Sequence, residues 1–231
     1  MVHGAGIVCC AMHSLASADA RPSAAAEFTS EYLYRQYSKS DGTPAARLNA
    51  NLVGDRGYFG GAWLSNIKFG AARWELNPYI GRSFILDNSW SLKATFEGYL
   101  FDHEIFGRDA DYGEAYVRLH YRDIFTARVG LAVAAYGSRH PVPNIEVTGR
   151  YQITDVCDLT GVVGYDRGSQ ALHYDAVYWR LKLTYYFGPH FALGMAYVGA
   201  EPVAENSATA SDRFSGALLG NRAVVSISVG Y

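Results

Sequence analysis

The sequence predicts an all-β fold, a single antiparallel transmembrane β-barrel of about twelve strands. Three observations predict it. Residues Arg222 to Tyr231 alternate strictly: Ala223, Val225, Ile227, Val229 and Tyr231 share one face, while Arg222, Val224, Ser226, Ser228 and Gly230 share the other. Segments with the same period of two recur along the chain at about ten residues each, the length of a tilted strand crossing a bilayer. The links between them sort by parity, tight after even-numbered strands and longer after several odd-numbered ones, which places short turns at one end and loops at the other.

Composition agrees. The chain of 231 residues holds 18 Tyr, 11 Phe, 4 Trp and 24 Gly with only 18% charged residues, which suits many strands joined by tight turns with aromatics at an interface. Mean hydropathy is −0.06, and no run of about 18 apolar residues is present, so no helix is expected to span a membrane. A formal charge of −2 argues against a nucleic-acid partner, which calls for a basic excess. No phosphate loop or nucleotide fingerprint occurs, and no cofactor or metal is expected.

Residues 1–26 are expected to be an export signal or a disordered N-terminus, and residues 27–231 the barrel. Ala5 to Ala18 is small and apolar, and Ala18-Asp19-Ala20 or Ala24-Ala25-Ala26 offers a cleavage site, although no Lys or Arg precedes Ile7. Cys9 and Cys10 fall in this segment. Cys157 alone remains after cleavage, so no internal disulfide is expected.

The first strand is expected over Phe28 to Ser38, with Tyr32 and Tyr34 on one face and Glu31 and Arg35 on the other, followed by a turn at Ser40-Asp41-Gly42. The second, Pro44 to Val53, turns Leu48, Ala50 and Leu52 outward and Arg47, Asn49 and Asn51 inward. Gly54 to Gly57 closes a hairpin. The third, Tyr58 to Ile67, is Gly-rich and its facing stays open. The fourth runs from near Trp74 to Phe84, and Pro78 inside it predicts a lost ladder bond and a bulge. The fifth alternates Trp90, Leu92, Ala94, Phe96 and Leu100 with Ser91, Lys93, Thr95, Glu97 and Tyr99. After a polar segment, Asp102 to Tyr112, the sixth sets Ala115, Val117, Leu119 and Tyr121 against Glu114, Tyr116, Arg118 and His120. The seventh exposes Phe125, Ala127, Val129, Leu131 and Val133. The eighth alternates Ile145, Val147 and Tyr151 with Glu146, Thr148 and Arg150. The ninth ends near Tyr165, and the tenth sets Val177, Trp179, Leu181 and Leu183 against Tyr178, Arg180 and Lys182. The eleventh, Phe191 to Val198, leads into the longest loop, Glu201 to Asn221, and the terminal strand follows.

Aromatics cluster at strand ends: Trp90, Tyr121, Phe125, Phe187, Phe191 and Tyr231 at the tight-turn end, and Trp74, Tyr136, Tyr165 and Tyr197 at the other. Two such belts are expected at the two membrane interfaces.

Residues Ser30 to Ile67 resemble the Gcw_chp family of bacterial proteins of unknown function. The matching residues are Ser30-Glu31-Tyr32-Leu33-Tyr34-Arg35, Ser40-Asp41-Gly42 with Pro44, Gly57-Tyr58-Phe59, Gly61, Trp63 and Ser65-Asn66-Ile67; Glu75, Gly81 and Tyr99 are similar further on. Gln36 and Asn77 depart from the pattern. The resemblance implies an outer-membrane barrel and no known activity.

The inward faces carry both signs of charge. Arg47, Lys93, Arg118, Arg128, Arg150, Arg180 and Lys182 are basic, and Glu97, Glu114 and Glu146 acidic. These are the candidate lumen-lining residues. Buried charge must be paired or hydrated, so they either cross-link into a seal or line water. The first alternative is a structural barrel whose external loops contact partners. The second is a narrow, weakly selective pore for small polar solutes in a Gram-negative outer membrane. Outer-membrane lipids and the barrel assembly machinery are the expected partners, with Tyr231 as an assembly signal. An enzyme is not expected. Ser65-Asn66 has no nearby His in sequence, and the Asp102-His103-Glu104 cluster reads as solvated charge.

Overall fold

The computed structural model describes residues 20–205 and 219–231. Strand β1 (Arg21–Thr29) opens the wall. β2 (Leu33–Tyr34) and β3 (Tyr37–Ser38) form a miniature hairpin apart from it. The wall resumes with β4 (Ala45–Val53), β5 (Tyr58–Phe69), β6 (Ala72–Ile85), β7 (Trp90–Phe101), β8 (Tyr112–Tyr121) and β9 (Phe125–Val133). It ends with β10 (Val142–Thr154), β11 (Cys157–Arg167), β12 (Tyr174–Phe187), β13 (Phe191–Glu205) and β14 (Arg222–Gly230). Twelve of these strands close into one antiparallel barrel in sequence order, β1 pairing with both β4 and β14. Among the described residues no helix is long and apolar enough to cross a membrane, so the crossing is made by strands.

The period of two sets the two faces. Leu48, Ile80, Phe96, Val129, Ile145, Leu181 and Ile227 stand exposed on the outer wall. In water so continuous an apolar surface would drive association; against lipid it is the face a barrel needs. Closure leaves no unpaired edge, which satisfies every wall strand's backbone inside the hydrocarbon layer. The β1–β14 seam pairs Ala25 with Gly230 and Phe28 with Ile227. Beyond it, Tyr231 N–H donates to Ala24 O at 2.8 Å and Tyr231 O accepts from Ala24 N–H at 3.1 Å.

Four expectations need correction. The first wall strand is Arg21–Thr29, so Arg21 to Ala26 belong to the barrel, and the Phe28 to Ser38 strand does not form. Phe28 and Thr29 end β1, while Ser30 to Ser38 leave the wall for the lumen, and a left-handed φ of 51° at Arg35 reverses the chain between β2 and β3. Pro78 causes no bulge. Leu76 pairs with Leu100 and Tyr79 with Glu97 in one unbroken register, and the β7 ladder simply skips Asn77 and Pro78. Glu201 to Glu205 continue β13 instead of starting the loop, pairing with β12 on both sides of the bulge at Asp175/Ala176. Tyr136 is buried inside the barrel and leaves the belt. The facing of β5 is also settled: Phe59, Gly61, Trp63, Ser65 and Ile67 turn in, while Tyr58 and Leu64 are exposed outside. The expected leader through residue 19, with Cys9 and Cys10, and loop residues 206–218 lie outside the described residues.

Candidate functional site: the lumen

After Thr29 the chain leaves the wall, enters the barrel from the long-loop end, and returns at Ala45. Leu33 pairs with Ser38 and Tyr34 with Tyr37. A second reversal uses positive φ at Asp41 and Gly42. Ser40 ties the base: its Oγ accepts from Tyr32 N–H at 2.8 Å and donates to Thr43 O at 2.6 Å. Tyr32, Gln36, Tyr37, Lys39 and Ser40 are all buried. With them pack Ile67, Phe69, Tyr99 and Tyr112 from the wall and Ile105, Tyr136 and Leu172 from three loops. This half of the lumen is therefore a small apolar core. Each large side chain so buried contributes roughly 1.5–3 kcal/mol.

Two ionic anchors hold the hairpin. Lys39 Nζ pairs with Glu75 Oε2 at 2.7 Å, both side chains 0% exposed. The ammonium lies 4.3 Å from the Tyr34 ring centre, 5.0 Å from Tyr99, 5.4 Å from Phe101 and 5.8 Å from Tyr136. The ring faces supply negative potential where water is absent. Arg35 is the second anchor, forking between Glu114 and Asp166, the latter at 3.3 Å. Glu114 also takes Arg128 and the Tyr34 hydroxyl, Arg128 donates to Asn144 Oδ1 at 2.8 Å, and Asn144 donates to Asp166 at 2.6 Å. Gly130 makes room for this knot, since a Cβ there would meet Glu114 Oε1 at 2.7 Å. A buried charge without such partners would carry a desolvation cost of several kcal/mol. Backbone bonds finish the docking, Lys68 N–H to Lys39 O at 2.8 Å and Leu219 N–H to Gln36 O at 2.9 Å. At the exposed second reversal, Lys68 donates to Asp41, and that bond and the lysine's charge hold the carboxyl below the usual aspartate range.

The short-turn half differs. Arg180 faces inward yet is exposed, as is Leu181 on the outer face, so water reaches the wall from within. A cavity of about 120 Å³ lies beneath the hairpin, against Glu27, Arg47, Glu146, Arg180 and Lys182. Arg47 pairs with Glu27 at 3.1 Å and stacks over Trp63 at 4.7 Å. Arg150 pairs with Asp158 at 2.7 Å, and Tyr186 donates to the same oxygen. Glu97 accepts from the Tyr116 hydroxyl and Glu146 from that of Tyr178. Among the described residues, Lys93, Arg118, Arg180 and Lys182 are inward cations without a carboxylate in ion-pair contact.

All ten residues expected to line the lumen turn inward. The structure divides them: Glu114 and Arg128 join the buried knot, while Arg47, Lys93, Glu97, Arg118, Glu146, Arg150, Arg180 and Lys182 stay outside it, Glu97 directly across from Glu114 and both Arg118 and Glu146 directly across from Arg128. Sequence reasoning missed Lys39, Arg35 and Asp166. Asp158 and Asp166 share parity with Val162 on β11, so alternation would have placed them inside. For Lys39 the usable signal was the broken alternation of Ser30 to Lys39, where Tyr, Arg, Gln and Lys leave no apolar outer face. Ser65 faces Arg47 and Glu75 on the two neighbouring strands, so neither cross-strand position holds a histidine base. Among the described residues no group of three potential metal ligands comes together.

A closed twelve-strand antiparallel barrel, apolar outside and charged inside, is a transmembrane β-barrel of the outer-membrane type. Its family follows from the sequence. The model described as "Bacterial protein of unknown function (Gcw_chp)" matches residues 15–230, and the chain belongs to that family. No curated protein matches it. Among solved structures, the KdgM porin in complex with disordered oligogalacturonate is similar at TM-score 0.56 and 8% identity, covering 92% of this chain and 98% of that one. The NanC porin gives 0.55 and 12%, covering 91% and 99%. The COG4313 outer membrane channel from Pseudomonas putida F1 gives 0.54 and 10%, covering 90% and 94%. At such identities the likeness is one of fold.

Proposed function

We propose that this protein is a narrow outer-membrane channel for small polar solutes, closed at its long-loop end by the inward hairpin. The observation that carries the reading is the solvent-accessible cavity beneath the hairpin together with inward cations that, among the described residues, have no carboxylate in ion-pair contact. A barrel serving only as a scaffold gains nothing from inward charge that it fails to pair, since such charge costs stability. The folds of the KdgM and NanC porins and the COG4313 channel support a passage for solutes over catalysis at the wall. One observation favours the sealed alternative: the buried Lys39–Glu75 and Arg35–Glu114 anchors fill the upper half.

Planar-bilayer recording of the refolded protein separates the two. We expect small or rare openings in the wild type and large stepwise conductance when residues 31–43 are replaced by a short Gly-Ser linker. Silence of both proteins, with both folded by heat-modifiable gel migration, would overturn the channel reading and leave the sealed barrel.

A further inference from the structure

We propose an oxyanion-binding subsite on the lumen wall where β7 meets β8, built by Lys93 and Arg118 with Thr95 and His120 beside them. The channel reading suggests that the occupant is a passing solute; the binding site itself stands on separate geometry.

The register brings like charges together. Lys93 lies directly opposite Arg118 on the β7–β8 ladder, and Arg118 directly opposite Arg128 on the β8–β9 ladder. Directly opposed side chains stand about 4.5–5.5 Å apart at Cβ, and like charges there are destabilising. Arg128 escapes the conflict by turning to Glu114 and Asn144. Lys93 and Arg118 have no such acidic partner. Glu97, two inward rungs from Lys93, accepts from the Tyr116 hydroxyl at 2.9 Å and lies within electrostatic reach of Arg118 without forming an ion-pair contact with it. Arg118 is held with its guanidinium 4.3 Å over the Tyr116 ring, which positions it.

Two unpartnered polar atoms flank the pair. Thr95 pairs across the ladder with Tyr116, one inward rung above, and Ser91 with His120, one inward rung below. Thr95 Oγ1 and His120 Nε2 are both buried and lack any hydrogen-bond partner. His120 is 5% exposed, and the charges of Lys93 and Arg118 both reach it. Its Nδ1 is taken by Thr126 Oγ1 at 2.9 Å. In the tautomer in which that hydroxyl donates, the ring proton sits on Nε2 and makes it a donor toward the lumen site. An unpaired buried donor is costly. Two cations in repulsion and two idle polar groups on three successive rungs meet their needs together in one occupant, a group with several negatively charged oxygens. A carboxylate or a phosphate group satisfies that chemistry.

Calorimetric titration of the refolded full-length protein in detergent micelles tests the subsite, using succinate and inorganic phosphate in separate arms. The wild type is expected to bind one or both, and the stronger arm identifies the oxyanion class. Lys93→Gln/Arg118→Gln should weaken binding roughly tenfold or more, the loss of charge-assisted hydrogen bonds. Lys93→Arg, which keeps the charge, and Arg180→Gln, which lies off the site, should bind as the wild type does. If the double variant does not fold, Lys93→Gln alone gives the same readout, since it relieves a like-charge contact. Absence of binding to either probe in the wild type, or equal binding by the wild type and the neutralised variant, overturns the proposal. Conductance is scored separately. Silence of both the wild type and the protein with residues 31–43 replaced, with binding through Lys93 and Arg118 retained in the wild type, sinks the channel reading and keeps the subsite, and a conducting protein that binds neither probe does the reverse.

Discussion

Lys39 is an ammonium ringed by aromatics and matched to a single carboxylate, with neither partner reaching water. Removing one member of such a pair strands the other. Lys39→Ala is expected to destabilise the docked hairpin by about 3–5 kcal/mol, and to raise channel-opening frequency in planar bilayers. Lys39→Met combined with Glu75→Gln should recover much of that loss, because neither residue then carries buried charge. An unchanged opening frequency in Lys39→Ala would show that the pair does not latch the hairpin. Lys93 presents the opposite case. Its charge opposes Arg118 across the ladder, so Lys93→Gln should leave stability unchanged or raise it by roughly 0.2–1 kcal/mol, read as the urea midpoint in micelles. A clear loss would mean that Lys93 has a stabilising partner. Alternation alone shows which way Lys93 points. It says nothing of Lys39, whose place depends on a turn at Arg35.

At the scale of elements, β1 and the hairpin matter most. Ser23 accepts a hydrogen bond from Asn51 and Ala24 exchanges two with Tyr231. Cleavage after Ala26 would discard the part of β1 that carries these contacts, whereas cleavage after Ala20 leaves the strand whole. We therefore expect N-terminal sequencing of the outer-membrane protein to begin at Arg21. A mature chain beginning at Glu27 would mean that the seam closes differently. The hairpin between β1 and β4 was hidden from a linear reading because its residues look like a strand locally. Tyr and Ser favour strands, and Tyr32 and Tyr34 share parity. Its inward path is set by partners from distant strands, Glu75, Glu114 and Asp166.

For the whole molecule the critical feature is closure. The last backbone bonds of the barrel join Tyr231 to Ala24, and the Tyr231 ring stacks on His190 at 5.0 Å while remaining 90% exposed. Tyr231→Glu would place a charge on the outer face at the membrane interface, beside the seam. Such charge costs about 0–1 kcal/mol near an interface, too little to unfold the barrel, so a marked fall in outer-membrane yield would report on assembly instead. We expect that fall, with normal heat-modifiable migration of whatever does insert. Normal yield would remove Tyr231 as an assembly signal.

The sequence by itself determined most of the wall: its strand number, its antiparallel closure, and, outside β1 and β5, which side chains meet lipid and which meet the lumen. That information is local, because a period of two assigns faces residue by residue and a one-residue slip would turn every apolar side chain inward. Only the tertiary structure decided what the inward charges do. Arg35 finds Glu114 at a separation of 79 residues and Asp166 at 131, and no pattern of nearest neighbours encodes a partner at that range. Which charges are neutralised and which stay free follows from barrel register and from one hairpin's entry into the lumen, since pairing depends on distance in space while alternation depends on position in the chain.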